Sequence, residues 1–363
     1  MQAINNHHKF ILSHLKRKKT ASRVELAKVM GISNQSLTRL TKSLIDLGII
    51  EEQSKKVGAR GQPAINLAIR SNRILGAGVV IANNKVTISI DDLNGNNIAI
   101  MTRNITLSDT ENTLKIATQI LQSMIDNLSD EEQLVGIGIA ISGFFAANNT
   151  ICNKFNISGW ASVDLTTYFS DKFAVPCILE NDGNAAAVGY SLTTAAAHLD
   201  SFFLITLSDG IGGGFINSLN LLRGHNGNAG EIAALFSSKK TDVRPSLSSL
   251  KLFLDEAKVC DWEECINPLS ANHSIYMQWL EQAAASMLQP LNTIQILLDP
   301  TAIVLSGELP LVIRQQLAEK LTFNAINYKD VSASKARIMI DDLASPLVKG
   351  ASALAFYNYL LHT

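Results

Sequence analysis

No stretch of the chain reaches the 18 or so consecutive apolar residues that a membrane-spanning helix needs, so no membrane partner is expected. The first ten residues, Met1 to Phe10, are polar and lack the apolar core of a secretion signal. Cysteine is sparse: Cys152, Cys177, Cys260 and Cys265 are the four in 363 residues, and none form a CxxC pair. That pattern excludes a disulfide framework and lacks the spacing of a tetrahedral zinc site, so reduced thiols and a cytoplasmic location are expected. Net charge is nearly absent, at −1, but the near-zero total hides a division. Residues 1–70 carry 13 Lys and Arg against 4 Asp and Glu, whereas the rest carries 18 against 28. A segment of net +9 ahead of one of net −10 is a cue for nucleic-acid binding by the first.

The first seventy residues support that cue. Residues 7–17 read as an amphipathic helix with Phe10, Ile11 and Leu15 inward. A second helix over 22–30 has Ser22 as its N-cap, and Ala27 and Gly31 allow a close crossing and a tight turn. Ser33 then caps a third helix reaching about Leu47, in which Leu37, Leu40, Leu44 and Leu47 recur at helical spacing. Its other face presents Asn34, Gln35, Thr38, Arg39 and Lys42, all able to donate hydrogen bonds to base edges or phosphates. Strands starting at Ile49 and carrying Ile65, Leu67 and Ile69 flank a basic, glycine-rich tip with Lys55, Lys56 and Arg60. A helix-turn-helix followed by such a hairpin is a winged helix, with Arg60 a candidate for the minor groove.

From about Asn72 the pattern becomes α/β. Strands are predicted at 74–81, 85–90, 98–105, 135–141, 177–180, 202–207, 213–218 and 302–305. Helices are predicted at 110–128, 164–172, after Asp182, at 275–296 and at 346–360.

Four segments carry a resemblance. Glu180-Asn181-Asp182-Gly183-Asn184-Ala185-Ala186-Ala187 resembles the ENDxNAAA signature of the ROK family, which comprises repressors, open reading frames and sugar kinases. Asn156-Ile157-Ser158-Gly159-Trp160 resembles its N-x-x-G-W segment, and Gly224 to Ile232 its G-x-x-G-x-A-G-E-I segment. Leu298 to Gly307 resembles the late L-D-P-x-x-I-V-L-G-G segment. With a winged helix in front, the order resembles the repressor branch that answers xylose, N-acetylglucosamine or glucose. The resemblance implies a two-lobed actin-like, sugar-kinase-like (ribonuclease H-like) ATPase fold over 71–363, after the winged helix at 1–70. Lobe one is expected at about 71–182 plus a C-terminal helix at 345–361, and lobe two at about 183–344.

The resemblance also assigns a sugar pocket to Gly143, Asn156, Asn181, Asp182 and Glu231, with Asp182 at the position of a kinase's general base. The same aspartate could instead hold a sugar hydroxyl, or cap the helix that follows. The phosphate-binding parts depart from the family. Where kinases have D-x-G-x-T, this chain has Gly78-Val79-Val80-Ile81-Ala82, an apolar turn without aspartate or threonine. Where they have G-T-G-x-G-G-G, it has Ser208-Asp209-Gly210-Ile211-Gly212-Gly213-Gly214, which sets a carboxylate in place of a phosphate partner. The family's zinc-binding histidine is replaced by Ala234, so no cofactor and no metal are expected. Three readings remain open. One is a regulator responsive to a monosaccharide or sugar phosphate, a homodimer or homotetramer on a two-fold operator. The others are a hexose or N-acylhexosamine kinase, and a regulator whose effector pocket is dead.

Overall fold

The computed structural model describes residues 4–53, 65–145, 151–152, 160, 163–237, 239, 242–259, 262–322, 327–328 and 331–360. The winged helix comes first. Helices α1 (Asn6–Lys18), α2 (Arg23–Met30) and α3 (Asn34–Asp46) surround a core of Ile11, Leu12, Leu15, Leu26, Leu37 and Leu44, all buried. Phe10 does not join that core: it is 40% exposed, and Leu12 takes the inward position beside Ile11. The helix ends are chemically capped. Ser22 and Glu25 form a reciprocal capping box on α2, and the Ser33 side chain accepts from the Ser36 amide on α3. Gly31 ends α2 at a φ of +65°, a conformation in which any other residue is strained.

Three short strands complete the module: β1 (Thr20–Ser22), β2 (Ile50–Gln53) and β3 (Asn66–Ile69), in the order β1-β3-β2. Strand β1 has no sequence signal of its own and is found by pairing with β3. The wing tip with Lys55, Lys56 and Arg60 lies outside the described residues.

The remainder holds two five-stranded sheets. The first contains β4 (Ile74–Ala82), β5 (Lys85–Asp92), β6 (Asn97–Asn104), β7 (Gln133–Ile141) and β10 (Cys177–Asn181). A two-stranded hairpin, β8 (Phe144–Phe145) with β9 (Ile151–Cys152), lies between β7 and β10 in sequence. The second sheet contains β11 (Ser201–Leu207), β12 (Ile211–Asn217), β13 (Asn220–Leu221), β14 (Ala302–Ser306) and β17 (Arg337–Ile340). A further hairpin joins β15 (Asn327–Tyr328) and β16 (Val331–Ser332).

Both large sheets have one plan. Orders β6-β5-β4-β7-β10 and β13-β12-β11-β14-β17 each place an antiparallel meander beside two parallel strands. Strand β4 is buried along nearly its whole length, as a central strand covered on both faces must be. Helices α4 (Thr110–Ile125) and α5 (Leu165–Phe173) serve the first sheet. The second half contributes α7 (Leu247–Glu256), α8 (Trp262–Cys265), α9 (His273–Leu298) and α10 (Leu311–Lys320). Helices α6 (Asp182–Ser191) and α11 (Pro346–Leu360) form the seam: α11 lies on β4 and β7, and α6 on β12. They touch through small residues, since a Cβ on Gly350 would sit 2.3 Å from the Ala185 carbonyl oxygen.

Candidate functional site

The seam brings the predicted pocket residues together. Strand β10 ends at Asn181 and α6 starts at Asp182, so both side chains stand at the strand-to-helix corner. Asn181, rather than Asp182, caps the helix, its Oδ1 accepting from the Asn184 amide at 2.7 Å. Its Nδ2 donates to Glu231 Oε1 at 2.7 Å, tying the corner to the loop that follows β13. Asp182 faces the cleft, where Ser142 Oγ donates to its Oδ2 at 2.9 Å and the Gly183 amide to its Oδ1 at 2.8 Å. Gly143 follows that serine with φ of 149°, so a side chain there is disfavoured. Burial raises the Glu231 carboxyl above the usual carboxylate range; the Asn181 hydrogen bond offsets part of this and the Asp182 charge adds to it. Asn181, Asp182 and Glu231 therefore share one site, and Gly143 is the residue after Ser142, which bonds to Asp182. Asn156 lies outside the described residues.

Three further features hold this arrangement. Gly183, Gly213 and Gly230 meet: a Cβ on Gly213 would lie 2.9 Å from the Gly230 carbonyl oxygen and 2.7 Å from the Phe203 ring. The triple glycine 212–214 is therefore strand β12 itself, with only Ser208–Gly210 forming the loop. The strand predicted from residue 213 thus begins two residues earlier, at Ile211; the missing side chains let α6 and the Glu231 loop close on the sheet. Asn228 was not singled out from the sequence, yet it clamps the hairpin: its Oδ1 accepts from the Phe145 amide and its Nδ2 donates to the Phe145 carbonyl, both at 2.7 Å. A buried carboxylate, Glu180, pairs with Arg223 Nε at 2.6 Å and accepts from Asn184 Nδ2 at 3.0 Å.

The candidate DNA-reading face is equally definite. Asn34, Gln35, Thr38, Arg39 and Lys42 are all exposed along one side of α3, opposite buried Leu37, Thr41 and Leu44. The Thr38 hydroxyl donates back to the Asn34 carbonyl at 2.8 Å, which leaves its oxygen lone pairs and methyl for a partner.

Residues 76–286 match the model of the ROK family, and residues 5–51 match a winged helix-turn-helix DNA-binding model. The chain belongs to the ROK family. An uncharacterized protein of Sinorhizobium fredii is 30% identical over 305 residues, 83% of this chain and 77% of that protein. The xylose repressor of Bacillus spizizenii is 25% identical over 225 residues, 62% of this chain and 58% of the repressor. The transcriptional dual regulator NagC of Escherichia coli is 23% identical over 260 residues, 70% of this chain and 59% of NagC. These matches thus span somewhat under two thirds of both named regulators. The crystal structure of a ROK family transcriptional regulator homologous to E. coli MLC shares the fold with a TM-score of 0.65 at 17% identity, covering 98% of both chains. A ROK glucokinase from Streptomyces griseus, solved with glucose and AMPPNP, gives 0.59 at 19% identity over 77% of this chain and 98% of its own.

In this ROK protein the cleft beside Asp182 is small and acidic. A cavity of about 60 Å³ is lined by Asn83, Ser142, Asp182, Asp209, Glu308 and Leu347, among others. The turn that enters it is Ala82-Asn83-Asn84-Lys85, between the strands predicted at 74–81 and 85–90, whereas Gly78–Ile81, matched to the kinase turn motif, continue β4. Asn83 and Asn84 adopt φ of 51° and 54°, the conformation glycines would take, so the turn is tight rather than bulky. It still carries no aspartate and no threonine. The exposed Glu308 reaches toward the cleft. Partial burial raises its carboxyl first, the Asp209 charge adds to this, Lys85 opposes it, and Asp182 adds again.

Ala234, at the family histidine position, is exposed on a short 3-10 turn, Ile232–Leu235. Among the described residues no group of three or more His, Cys, Asp or Glu could hold a metal ion. Burial pushes the Cys177 thiol up to about 12, which makes it inert as a nucleophile at neutral pH. No described helix is long and apolar enough to cross a membrane.

Proposed function

We propose that this ROK protein is a sugar-responsive transcription regulator of the repressor type, which binds a monosaccharide or its phosphate at the corner between β10 and α6. It does not transfer phosphate. One observation carries the reading: the exposed residues Asn34, Gln35, Thr38, Arg39 and Lys42 of α3 stand in the same chain as a gathered Asn181–Asp182–Glu231 cluster. Side-chain amides and carboxylates in that geometry suit the alternating donors and acceptors of a polyol. Asp182 then serves as a hydrogen-bond acceptor for a sugar hydroxyl. The nearby Asp209 and Glu308 make a poor seat for triphosphate oxygens.

The kinase reading retains one favourable observation. Asp182 faces the cleft with its carboxylate already oriented by Ser142 and the Gly183 amide, as a general base would be. The regulator reading accounts for the winged helix and the acidic cleft together.

A thermal-shift panel of D-xylose, D-glucose, N-acetyl-D-glucosamine and their phosphates tests the pocket, because a ligand that binds only the folded state raises its melting point. At least one compound should raise the melting temperature of the wild-type chain, and Asp182→Ala should abolish that shift. A shift unchanged in Asp182→Ala would remove the assignment.

The reading further entails a homodimer or larger even oligomer on a two-fold operator. A single winged helix offers only about 600–1,000 Å² of interface, little for specific recognition. In that assembly Asn34, Gln35, Thr38 and Arg39 choose bases, while Lys42 and the wing residues Lys55, Lys56 and Arg60 supply phosphate or minor-groove contacts.

A further inference from the structure

Two adjacent residues of α1 leave the winged helix in different directions and meet opposite halves of the ROK domain. Lys16 is buried, and its amine lies over Gly95 in the turn between β5 and β6, where a Cβ on Gly95 would be 3.1 Å from Nζ. Asp91 and Asp92 supply negative charge to it there. Asp91 is in turn held by α11, through Lys349 Nζ at 2.8 Å and through the Ser352 hydroxyl. The link on this side is reinforced by the polypeptide itself, which runs from β3 into β4, and by Asn94 Nδ2 donating to the Ile69 carbonyl at 3.1 Å.

Arg17 goes the other way. Its Nη2 donates to the Ala196 carbonyl at 3.0 Å and the Ala197 carbonyl at 2.7 Å, 179 and 180 residues away. Those carbonyls belong to the turn between the end of α6 and the start of β11. Its Nε is buried without a hydrogen-bond partner. Around it Phe10, Ser13, His14, Lys18, Ala197 and Leu219 line a cavity of about 90 Å³, leaving slack between α1 and the second half.

The position of that turn gives the contact its meaning. Helix α6 begins at Asp182, inside the candidate sugar pocket, and the segment ending it carries the carbonyls that Arg17 holds. One short element thus has the pocket at its first turn and the DNA-binding module just past its last. The module is joined to the first sheet by the chain and by the Asn94–Ile69 hydrogen bond, and Arg17 links it to the second.

We propose that Arg17 is the coupling residue of this protein. It converts a change in the angle between the two sheets, driven by a ligand at Asp182, into a rotation of α1 and hence of the recognition helix. This rests on the regulator reading given above. A double donation from one nitrogen, Nη2, to two successive carbonyls suits the role, because two acceptors fix the orientation of the planar group where a single hydrogen bond would let it turn. Arg17 touches neither the pocket nor the α3 face, so its loss separates coupling from binding.

The test uses the full-length chain, a duplex that the wild-type protein selects from a random pool, and whichever of D-xylose, D-glucose, N-acetyl-D-glucosamine and their phosphates raises its melting point. In the wild type the sugar should change duplex affinity by at least about 5-fold, and the duplex should change sugar affinity by the same factor, since coupling is reciprocal. In Arg17→Met both factors should fall below about 2-fold, while affinity for each ligand alone stays within about 3-fold. Arg17→Gln keeps one amide donor; it should retain an intermediate factor and provides a second variant if the methionine chain folds poorly. An undiminished factor in Arg17→Met and Arg17→Gln overturns the coupling role. So does a loss of either ligand's own binding in both variants, which would make Arg17 merely structural. A wild-type chain whose duplex affinity ignores every sugar overturns the regulator reading itself, and is told apart because it needs no variant.

Discussion

Lys16 is the residue whose chemistry is most at odds with its surroundings. Burial lowers its pKa from 10.5 to about 7, with Lys19 and Lys349 adding to the effect and Asp92 and Asp91 opposing it. The folded state therefore prefers the neutral amine, whereas the unfolded chain stays protonated up to about pH 10.5. This penalty on folding is absent above pH 10.5, grows as pH falls, and is complete below about pH 7. Lys16→Met removes it, and should stabilise the protein at pH 7 by a few kcal/mol, roughly. The gain should shrink steadily as denaturation is repeated toward pH 10. A Lys16→Met chain that is less stable than wild type at pH 7 would show that the Asp91 and Asp92 attraction outweighs the burial. Nothing in the sequence around Lys16 distinguishes it from Lys18 or Lys19, because its partners lie in a turn about 80 residues away.

At the scale of elements, local chemistry was readable and long-range packing was not. Ser22 and Ser33 announce their helices because capping is a contact within four residues. Strand β1 is invisible because three residues carry no period, and it exists only through Leu67 and its neighbours opposite. The start of β12 is blurred because glycine has low strand propensity: the strand is predicted from 213 and begins at Ile211. The run of glycines has a tertiary reason: a Cβ on Gly212 or Gly214 would meet the start of α6, and one on Gly213 would meet the Gly230 carbonyl and the Phe203 ring. The pocket was legible through its resemblance to a known family, yet the clamp by Asn228 was not, because no pattern marks an amide that bonds to Phe145. The account makes β12 the floor of the site. Gly213→Ala should cost about 1–3 kcal/mol of stability through overpacking. It should also weaken any sugar-induced rise in melting temperature, by pushing Asp182 away from Glu231. Calorimetry with and without sugar measures both, and an alanine variant that binds sugar as well as wild type would contradict this placement.

For the whole molecule, one fold supports two chemistries, and the cleft beside Asp182 separates them. The ROK domain keeps the sheets, the seam helices and the aspartate found at this corner, but presents Asp209 and Glu308 at the opening. Incubation with ATP, magnesium and a hexose panel should release no ADP above background in a coupled assay. Turnover at about 1 s⁻¹, the low end of ordinary enzymes, would restore the kinase reading.

The central claim is that a sugar pocket governs a DNA-reading helix, and one measurement reaches it most directly. Full-length protein is used to select duplexes from a random pool, and affinity for the selected duplex is then measured with and without the sugar that raises the melting point. The account predicts a two-fold symmetric motif with half-sites about one helical turn, or a multiple of it, apart. It predicts a loss of about 1–3 kcal/mol of base preference in Gln35→Ala or Arg39→Ala, and a sugar-dependent change in affinity that disappears in Asp182→Ala. A motif without two-fold symmetry that is indifferent to Gln35 and Arg39, or an affinity that no sugar alters, would contradict it.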